Sequence, residues 1–167
     1  MSFSEYEMAI VNASPLICLA RAGLLELLFR TFQDVQIPRP VFDEVMAGPE
    51  HDPAREFLQN ADAFSVIDPR TTSDLVREWD LGAGETSVLT GVLEEAAAIA
   101  VIDDAAARKC ARTLGMPYCG SLGVLARARA AGVLVDLNAC VSSLREAGVY
   151  LSDGDRKSTR LNSSHYS

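Results

Sequence analysis

Five side chains along this chain carry oxygen atoms at positions where they could bind a metal ion. They are Asn12, Glu44, Glu85, Asp103 and Asp104. Hard divalent cations such as Mg²⁺ and Mn²⁺ prefer oxygen ligands. One or two such cations can activate a water molecule and stabilise the leaving oxygen during phosphodiester cleavage. The set is therefore typical of metal-assisted hydrolysis.

Two of these carboxylates directly follow the most apolar segment of the chain. The run Ala98–Ile102 has the composition of a strand buried on both faces of a parallel sheet, and it ends at Asp103 and Asp104. In open α/β sheets, ligands bind at the carboxyl ends of the strands. Asp104 is equally suited to be the N-cap of the alanine-rich helix that follows, and this interpretation stays open.

Asn12 has a comparable position at the end of a shorter apolar run, Met8–Val11. If the two runs form neighbouring parallel strands, Asn12 lies beside Asp103 at the same edge of the sheet. The alternative is that Asn12 is only a turn residue, since asparagine is common in turns.

The two glutamates belong to predicted helices. Glu85 precedes Val88 and Leu89 by three and four residues, which places it on the buried face of its helix, in the first turn. The helix dipole would also favour a carboxylate there, by roughly 0.3–1 kcal/mol. Glu44 lies at the edge of an apolar stripe, and its alternative interpretation is a solvated helix residue.

Other catalytic chemistries find little support in the sequence. His51 is the only histidine before residue 155, and its surroundings indicate a surface loop, which argues against Ser–His or Cys–His catalysis. Gly82 and Gly84 only half resemble a dinucleotide loop, and there is no P-loop. The four cysteines occur singly, which is typical of reduced thiols in a cytosolic protein and argues against a zinc site.

The composition is that of an ordinary globular domain. The chain has 167 residues, of which 49 % are hydrophobic, and no run of about 18 apolar residues is present. The acidic N-terminus lacks the basic start of a secretory signal. The net charge of −8 argues against loose, non-specific binding of nucleic acid, but it is compatible with a nuclease that uses cations and a local basic patch.

The last residues are set apart from the rest. Asp155 to His165 match the translation of one frame of a sequencing-library adapter, so we expect residues 155–167 to be an artefactual tail. Residues 1–154 are predicted to form a single domain. We expect the natural protein to continue beyond Gly154, so this domain is truncated at its C-terminus.

Predicted strands and helices alternate along the chain. Ser14 and Pro15 are predicted to begin the first helix, with Ser14 as its N-cap, and Gly148 is predicted to end the last one. Further strands are predicted over Asp34–Ile37 and Phe64–Ile67. Strands that alternate with helices of roughly ten residues form βαβ units. The fold class is therefore α/β, with a central parallel sheet flanked by helices.

Several segments, taken together in this order, resemble the PIN-like family DUF3368. The segments are Val11–Ile17, Ile37–Val45, Gly82–Glu85, Ile102–Arg108 and Gly120–Leu125. The resemblance covers about residues 8–153. It implies a Rossmann-like PIN fold, Mg²⁺- or Mn²⁺-dependent ribonuclease activity and a role as the toxin of a toxin–antitoxin pair.

The resemblance also implies roles for individual residues. Asn12 falls where PIN nucleases have their first metal-binding aspartate, Glu44 matches their helix glutamate, and Glu85 matches a later acidic ligand. Asp103 or Asp104 matches the last one. Asn12 departs from the family pattern, and because an amide contributes no charge, metal affinity should fall.

The first functional hypothesis is a metal-dependent endoribonuclease. In it, Glu44, Glu85 and Asp104 hold the cation, and Asp103 and Asn12 complete the shell. Two serines are candidates for positioning the phosphate, Ser14 and Ser121. The partners implied are RNA, an antitoxin protein and a second copy of the chain, in the cytoplasm and without a membrane.

Two further hypotheses stay open. In one, the site is degenerate and the protein binds RNA or a protein partner without cleavage, which Asn12 and the acidic surface favour. In the other, the protein binds a nucleotide or another small molecule, although no phosphate-binding loop supports this.

Overall fold

A computed structural model describes residues 6–68 and 71–155, with side chains up to residue 148. The predicted tail therefore lies outside the described residues, apart from the backbone of Asp155. Within the described ranges, no helix is both long and apolar enough to cross a membrane.

Five parallel strands form the sheet at the centre of the protein. Their order across the sheet is β3-β2-β1-β4-β5. The strands are β1 (Met8–Val11), β2 (Asp34–Pro38), β3 (Ser65–Ile67), β4 (Ala98–Val101) and β5 (Tyr118–Cys119). β1 and β4 are neighbours, with Val11 opposite Val101, so the two apolar runs end side by side as predicted.

The helices connect the strands and cover both faces of the sheet. Those described are α1 (Ala13–Arg21), α2 (Leu25–Thr31), α3 (Arg39–Met46), α4 (Pro53–Asn60), α5 (Asp74–Arg77), α6 (Ala83–Glu94), α7 (Ala105–Thr113), α8 (Ser121–Ala130) and α9 (Leu137–Asp155). The predicted α/β class is confirmed.

The core explains why β4 contains no polar residue. All four residues of β4 are buried, because helices pack against both faces of the sheet. The largest fully buried side chains come from the strands and from the helices on both faces of the sheet, and they include Ile10, Leu16, Leu28, Leu89 and Ile102.

Two predictions about helix boundaries were wrong, and one short helix was missed. α1 begins at Ala13 with Asn12 in the N-cap position, so Ser14 lies inside the first turn. Pro15 is tolerated there because the first amides of a helix have no intrahelical acceptor. α9 continues through Gly148, whose missing side chain faces open space and imposes no break. The short helix α5 was not predicted.

Glycines follow the ends of α1, α7 and α8. Gly23, Gly115 and Gly132 all have φ between 70° and 73°, a left-handed conformation that glycine adopts without a steric penalty. These turns direct the chain back toward the next strand or helix.

Candidate metal centre and active site

The candidate site lies at the carboxyl edge of the sheet. α1, α3, α7 and α8 each begin within four residues of the end of a strand, so their N-termini meet at this edge. The N-terminus of a helix carries a partial positive charge and unpaired amide groups. The edge therefore favours carboxylates and other anions before any metal is considered.

Asn12 provides a buried oxygen atom without a partner. Its amide N–H donates to the Val101 carbonyl at 3.0 Å, which continues the β1–β4 pairing. The residue is only 4 % exposed, and its side-chain Oδ1 makes no hydrogen bond within the described residues. An unpaired buried polar atom costs roughly 1–3 kcal/mol, so this oxygen is well suited to bind a cation.

Gly84 allows α6 to approach this oxygen. A Cβ atom at Gly84 would lie 3.0 Å from Asn12 Oδ1 and 3.3 Å from Val41 Cγ2. A larger residue at this position would therefore press on the amide. Because Glu85 is the next residue of α6, this close approach also brings its backbone to the Asn12 side of the edge.

Glu44 and Glu85 influence each other electrostatically. Glu85 is half-buried, and Glu44 on α3 is exposed as a whole residue. The pKa of Glu44 is nevertheless raised above its ordinary value of 4.5, first because its carboxyl group is partly desolvated and second because of the Glu85 charge. A divalent cation between two like charges would relieve this repulsion.

Asp103 is held in place by the start of α8. Its Oδ1 accepts a hydrogen bond from the Ser121 amide at 2.8 Å, and its Oδ2 accepts one from the Ser121 hydroxyl at 2.6 Å. Gly120 makes this possible, since a Cβ there would lie 2.6 Å from Asp103 Oδ1. Ser121 is 4 % exposed, and its predicted phosphate-positioning role stays a prediction.

Asp104 caps α7, as one of its two interpretations predicted. Its Oδ2 accepts a hydrogen bond from the Ala107 amide at 2.9 Å. Oδ1 has no hydrogen-bond partner in the part of the chain that the structure describes. One carboxylate can therefore cap the helix and still present an oxygen to a ligand.

The structure thus divides the predicted site into two groups. On one side, Asn12 Oδ1 and the carboxylates of Glu44 and Glu85 make no hydrogen bond within the described residues. On the other, Asp103 and Asp104 are fixed by hydrogen bonds from the starts of α8 and α7. Among the described residues, no three His, Cys, Asp or Glu side chains converge closely enough to hold a metal ion.

Two buried thiols lie near Asp103. The pKa of Cys18 is raised to about 11, first by burial and second by the Asp103 charge, while Arg21 acts in the opposite direction. Burial likewise raises the pKa of Cys119, against the opposing effect of Arg127. Both thiols therefore stay neutral at physiological pH and are not nucleophiles.

The sequence reasoning did not assign a role to three residues that shape the site. Gly84 and Gly120 make room for Asn12 and Asp103, and a Cβ at Gly120 would lie 3.8 Å from Arg108 Nη1. The available signal was a glycine directly before a helix or in its first turn. In the fold, each such glycine lies close to a predicted ligand. This signal was weak because the residue that each glycine contacts is remote in sequence.

Two comparisons with known proteins bear on the chain. The family model of DUF3368, described as a PIN domain, matches residues 8–160. A search of the curated proteins found no match.

Proposed function

Because this chain belongs to the DUF3368 family of PIN domains, whose fold is of the nuclease type, we propose that it is a metal-dependent endoribonuclease. The observation that carries the proposal is the buried Oδ1 of Asn12 at the sheet edge, which has no hydrogen-bond partner within the described residues. It lies on the side of the edge where Glu44 and Glu85 repel each other. A divalent cation bound between these groups would relieve both features.

The chemistry of the donors suits Mg²⁺ or Mn²⁺, and binding would require the carboxylates to come closer together than they lie in the described residues. All the candidate ligands offer oxygen atoms, which these hard cations prefer. Asn12, Glu44, Glu85 and Asp104 would hold the ion, and Asp103 would complete its surroundings. When bound, the cation supplies water activation and charge stabilisation for phosphodiester hydrolysis.

The protein residues have separate tasks in this proposal. Asp104 caps α7 with Oδ2 and faces the site with Oδ1, so the rigid helix start sets its orientation. Ser121 fixes Asp103 through both of its donors. Ser14, in the first turn of α1, and Ser121 are the proposed phosphate-positioning residues.

The first experiment is thermal unfolding with and without millimolar Mn²⁺. A ligand at 100 times its Kd stabilises the folded state by about 2.7 kcal/mol, and we expect the parent protein to gain stability in this way. Glu85→Gln should lose the gain. Glu26→Gln is the matched control, because it removes the same charge from the first turn of α2. Equal Mn²⁺ effects in all three proteins would contradict the proposed metal site.

The second experiment measures cleavage of single-stranded RNA. Asp104→Asn should abolish cleavage and leave the helix cap intact, since an asparagine oxygen also accepts the Ala107 N–H. Cleavage that persists at the parental rate in the purified variant would refute the role of Asp104.

Asn12 favours a second candidate function. An amide in place of a charged ligand lowers metal affinity, so a PIN domain that binds RNA or a protein without cleavage is the alternative. It predicts RNA binding with neither cleavage nor stabilisation by Mn²⁺.

The cellular role that we propose is the toxin of a toxin–antitoxin pair, in the cytoplasm. All four cysteines are free thiols, as expected in a reducing compartment. Expression of the parent protein should arrest the growth of a bacterial host, and an antitoxin protein should relieve the arrest. Expression of Asp104→Asn should not arrest growth. Homodimer formation is part of the same proposal, and light scattering tests it.

A further inference from the structure

Arg108 lies close to the candidate site although it is not one of the predicted ligands. It is the fourth residue of α7, and side chains on a helix point back toward its N-terminus, which here is the carboxyl edge of the sheet. The Cβ position that Gly120 leaves empty has Asp103 Oδ1 at 2.6 Å and Arg108 Nη1 at 3.8 Å. The guanidinium therefore lies beside the site.

An aromatic ring holds this guanidinium. The Cζ atom of Arg108 lies 5.5 Å from the centre of the Tyr118 ring, within the range of a cation–π contact. Tyr118 is half-buried at the end of the sheet, in β5, so the ring is a fixed support. Within the described residues, a cation–π contact rather than an ion pair thus orients the arginine.

The donors of Arg108 have no hydrogen-bond acceptor in the part of the chain that the structure describes. Within residues 6–68 and 71–155, Arg108 makes no hydrogen bond and no ion pair, and the residue is exposed. In contrast, Arg21, Arg39 and Arg77 each form an ion pair with an aspartate. Arg108 therefore has a full set of planar donors beside the acidic site, which is the geometry that suits a phosphate.

The charge of the rest of the protein makes such a cation necessary. The chain carries a net charge of −8, and the candidate ligands add negative charge at the point where a phosphodiester must approach. An anionic strand binds only where local cations outweigh this repulsion. A stacked arginine next to an aromatic ring also matches how proteins bind single strands.

We propose that Arg108, held on the Tyr118 ring, binds a backbone phosphate of single-stranded RNA next to Asp103. The inference rests on the proposed function for the identity of the ligand, but it does not require cleavage. Its immediate consequence is that the RNA backbone crosses the edge of the sheet between the start of α7 and the start of α8.

Binding of a short fluorescein-labelled RNA of mixed sequence, followed by fluorescence anisotropy, tests this. The measurement is made in EDTA and again with Mn²⁺, using the whole chain. We expect Arg108→Ala to raise Kd about tenfold and to lower the slope of log K against log salt by about 0.7. Arg108→Lys should lie in between, because it keeps the charge without the planar donors.

Arg129→Ala is the matched control. Arg129 is exposed on α8, eight residues beyond Ser121 and therefore about 12 Å along the helix from the site. It removes the same charge from the protein without touching the proposed phosphate. Tyr118→Leu should weaken binding less than Arg108→Ala, since it loosens the guanidinium but leaves the charge.

Each outcome decides the matter. Loss of RNA affinity in Arg108→Ala but not in Arg129→Ala supports the inference. If the parent binds RNA in this way but never cleaves it, only the proposed hydrolysis fails. Cleavage by the parent together with equal Kd values for Arg108→Ala and Arg129→Ala overturns the inference and leaves the proposed nuclease intact. Absence of RNA binding by the parent in both buffers overturns it as well.

Discussion

Replacing Gly120 with alanine tests whether the Asp103 arrangement depends on one missing side chain. Gly120 has φ −98° and ψ −170°, an extended conformation that alanine adopts without strain. The added Cβ would lie 2.6 Å from Asp103 Oδ1 and 3.5 Å from the Ile102 carbonyl oxygen. Ordinary contacts begin near 3.4 Å, so the carboxylate must move by about 0.8 Å.

That displacement breaks the hydrogen bond that fixes the site. The Ser121 amide to Asp103 Oδ1 distance is 2.8 Å, and a shift of this size carries it past the limit of a useful hydrogen bond. A hydrogen bond to a charged group contributes about 1.5–3 kcal/mol. We therefore expect Gly120→Ala to lower the free energy of unfolding by about that amount, and the melting temperature by about 3–12 °C.

Urea unfolding followed by the fluorescence of Trp79, the single tryptophan, measures the loss. The control is Gly148→Ala, because Gly148 lies within α9 with nothing within 4 Å of its Cβ position. There we expect a gain of about 0.5–1 kcal/mol from helix propensity.

A double-mutant cycle with Ser121→Ala separates the contact from other effects. Both changes weaken the hydrogen bonds of Asp103. The double variant should therefore lose less free energy of unfolding than the two single variants lose together. A loss below about 0.5 kcal/mol in Gly120→Ala, or full additivity with Ser121→Ala, would refute the reasoning.

Two further predictions concern ionisable groups. A raised pKa in the folded state gives Glu44 a stabilising contribution below pH 4.5 that is lost as pH rises through the folded value. In EDTA at pH 7, Glu44→Gln should therefore be more stable than the parent, and the difference should vanish below pH 4.5. Equal midpoints of urea unfolding at pH 7 would contradict this. Iodoacetamide at pH 8 should modify Cys140, which is half-buried, but spare the other three cysteines, which are buried and have raised pKa values. Mass spectrometry should find one adduct on the folded protein and four after unfolding, and two or more on the folded protein would count against it.

The strands and most helix ends follow from local sequence. A short apolar run such as Ala98–Val101 indicates a fully buried strand. Gly115 and Gly132 end helices because they adopt left-handed conformations. These signals are local, so they can be read without knowing the fold. Ser14 was misleading because Asn12, two residues earlier, is an equally good N-cap residue and the strand leaves no room for a linker.

The candidate ligands were also identifiable from sequence, but their surroundings were not. Position at the end of an apolar run identifies Asn12 and Asp103 as residues at the edge of the sheet. Whether each side chain has a partner depends on segments far away in the chain. Asp103 receives both hydrogen bonds from Ser121, 18 residues later, whereas Asn12 Oδ1 receives none within the described residues.

The sequence by itself thus determined the α/β class, the strand ends and the set of oxygen donors, because periodicity and turn residues act over a few positions. Only the tertiary structure decided which donors are held and which are unpaired. It also decided that Arg108 stacks on Tyr118 beside Asp103. The physical reason is that hydrogen bonding, desolvation and ring stacking depend on distances between atoms, which the order of residues does not give until the sheet brings β4, α7 and β5 together.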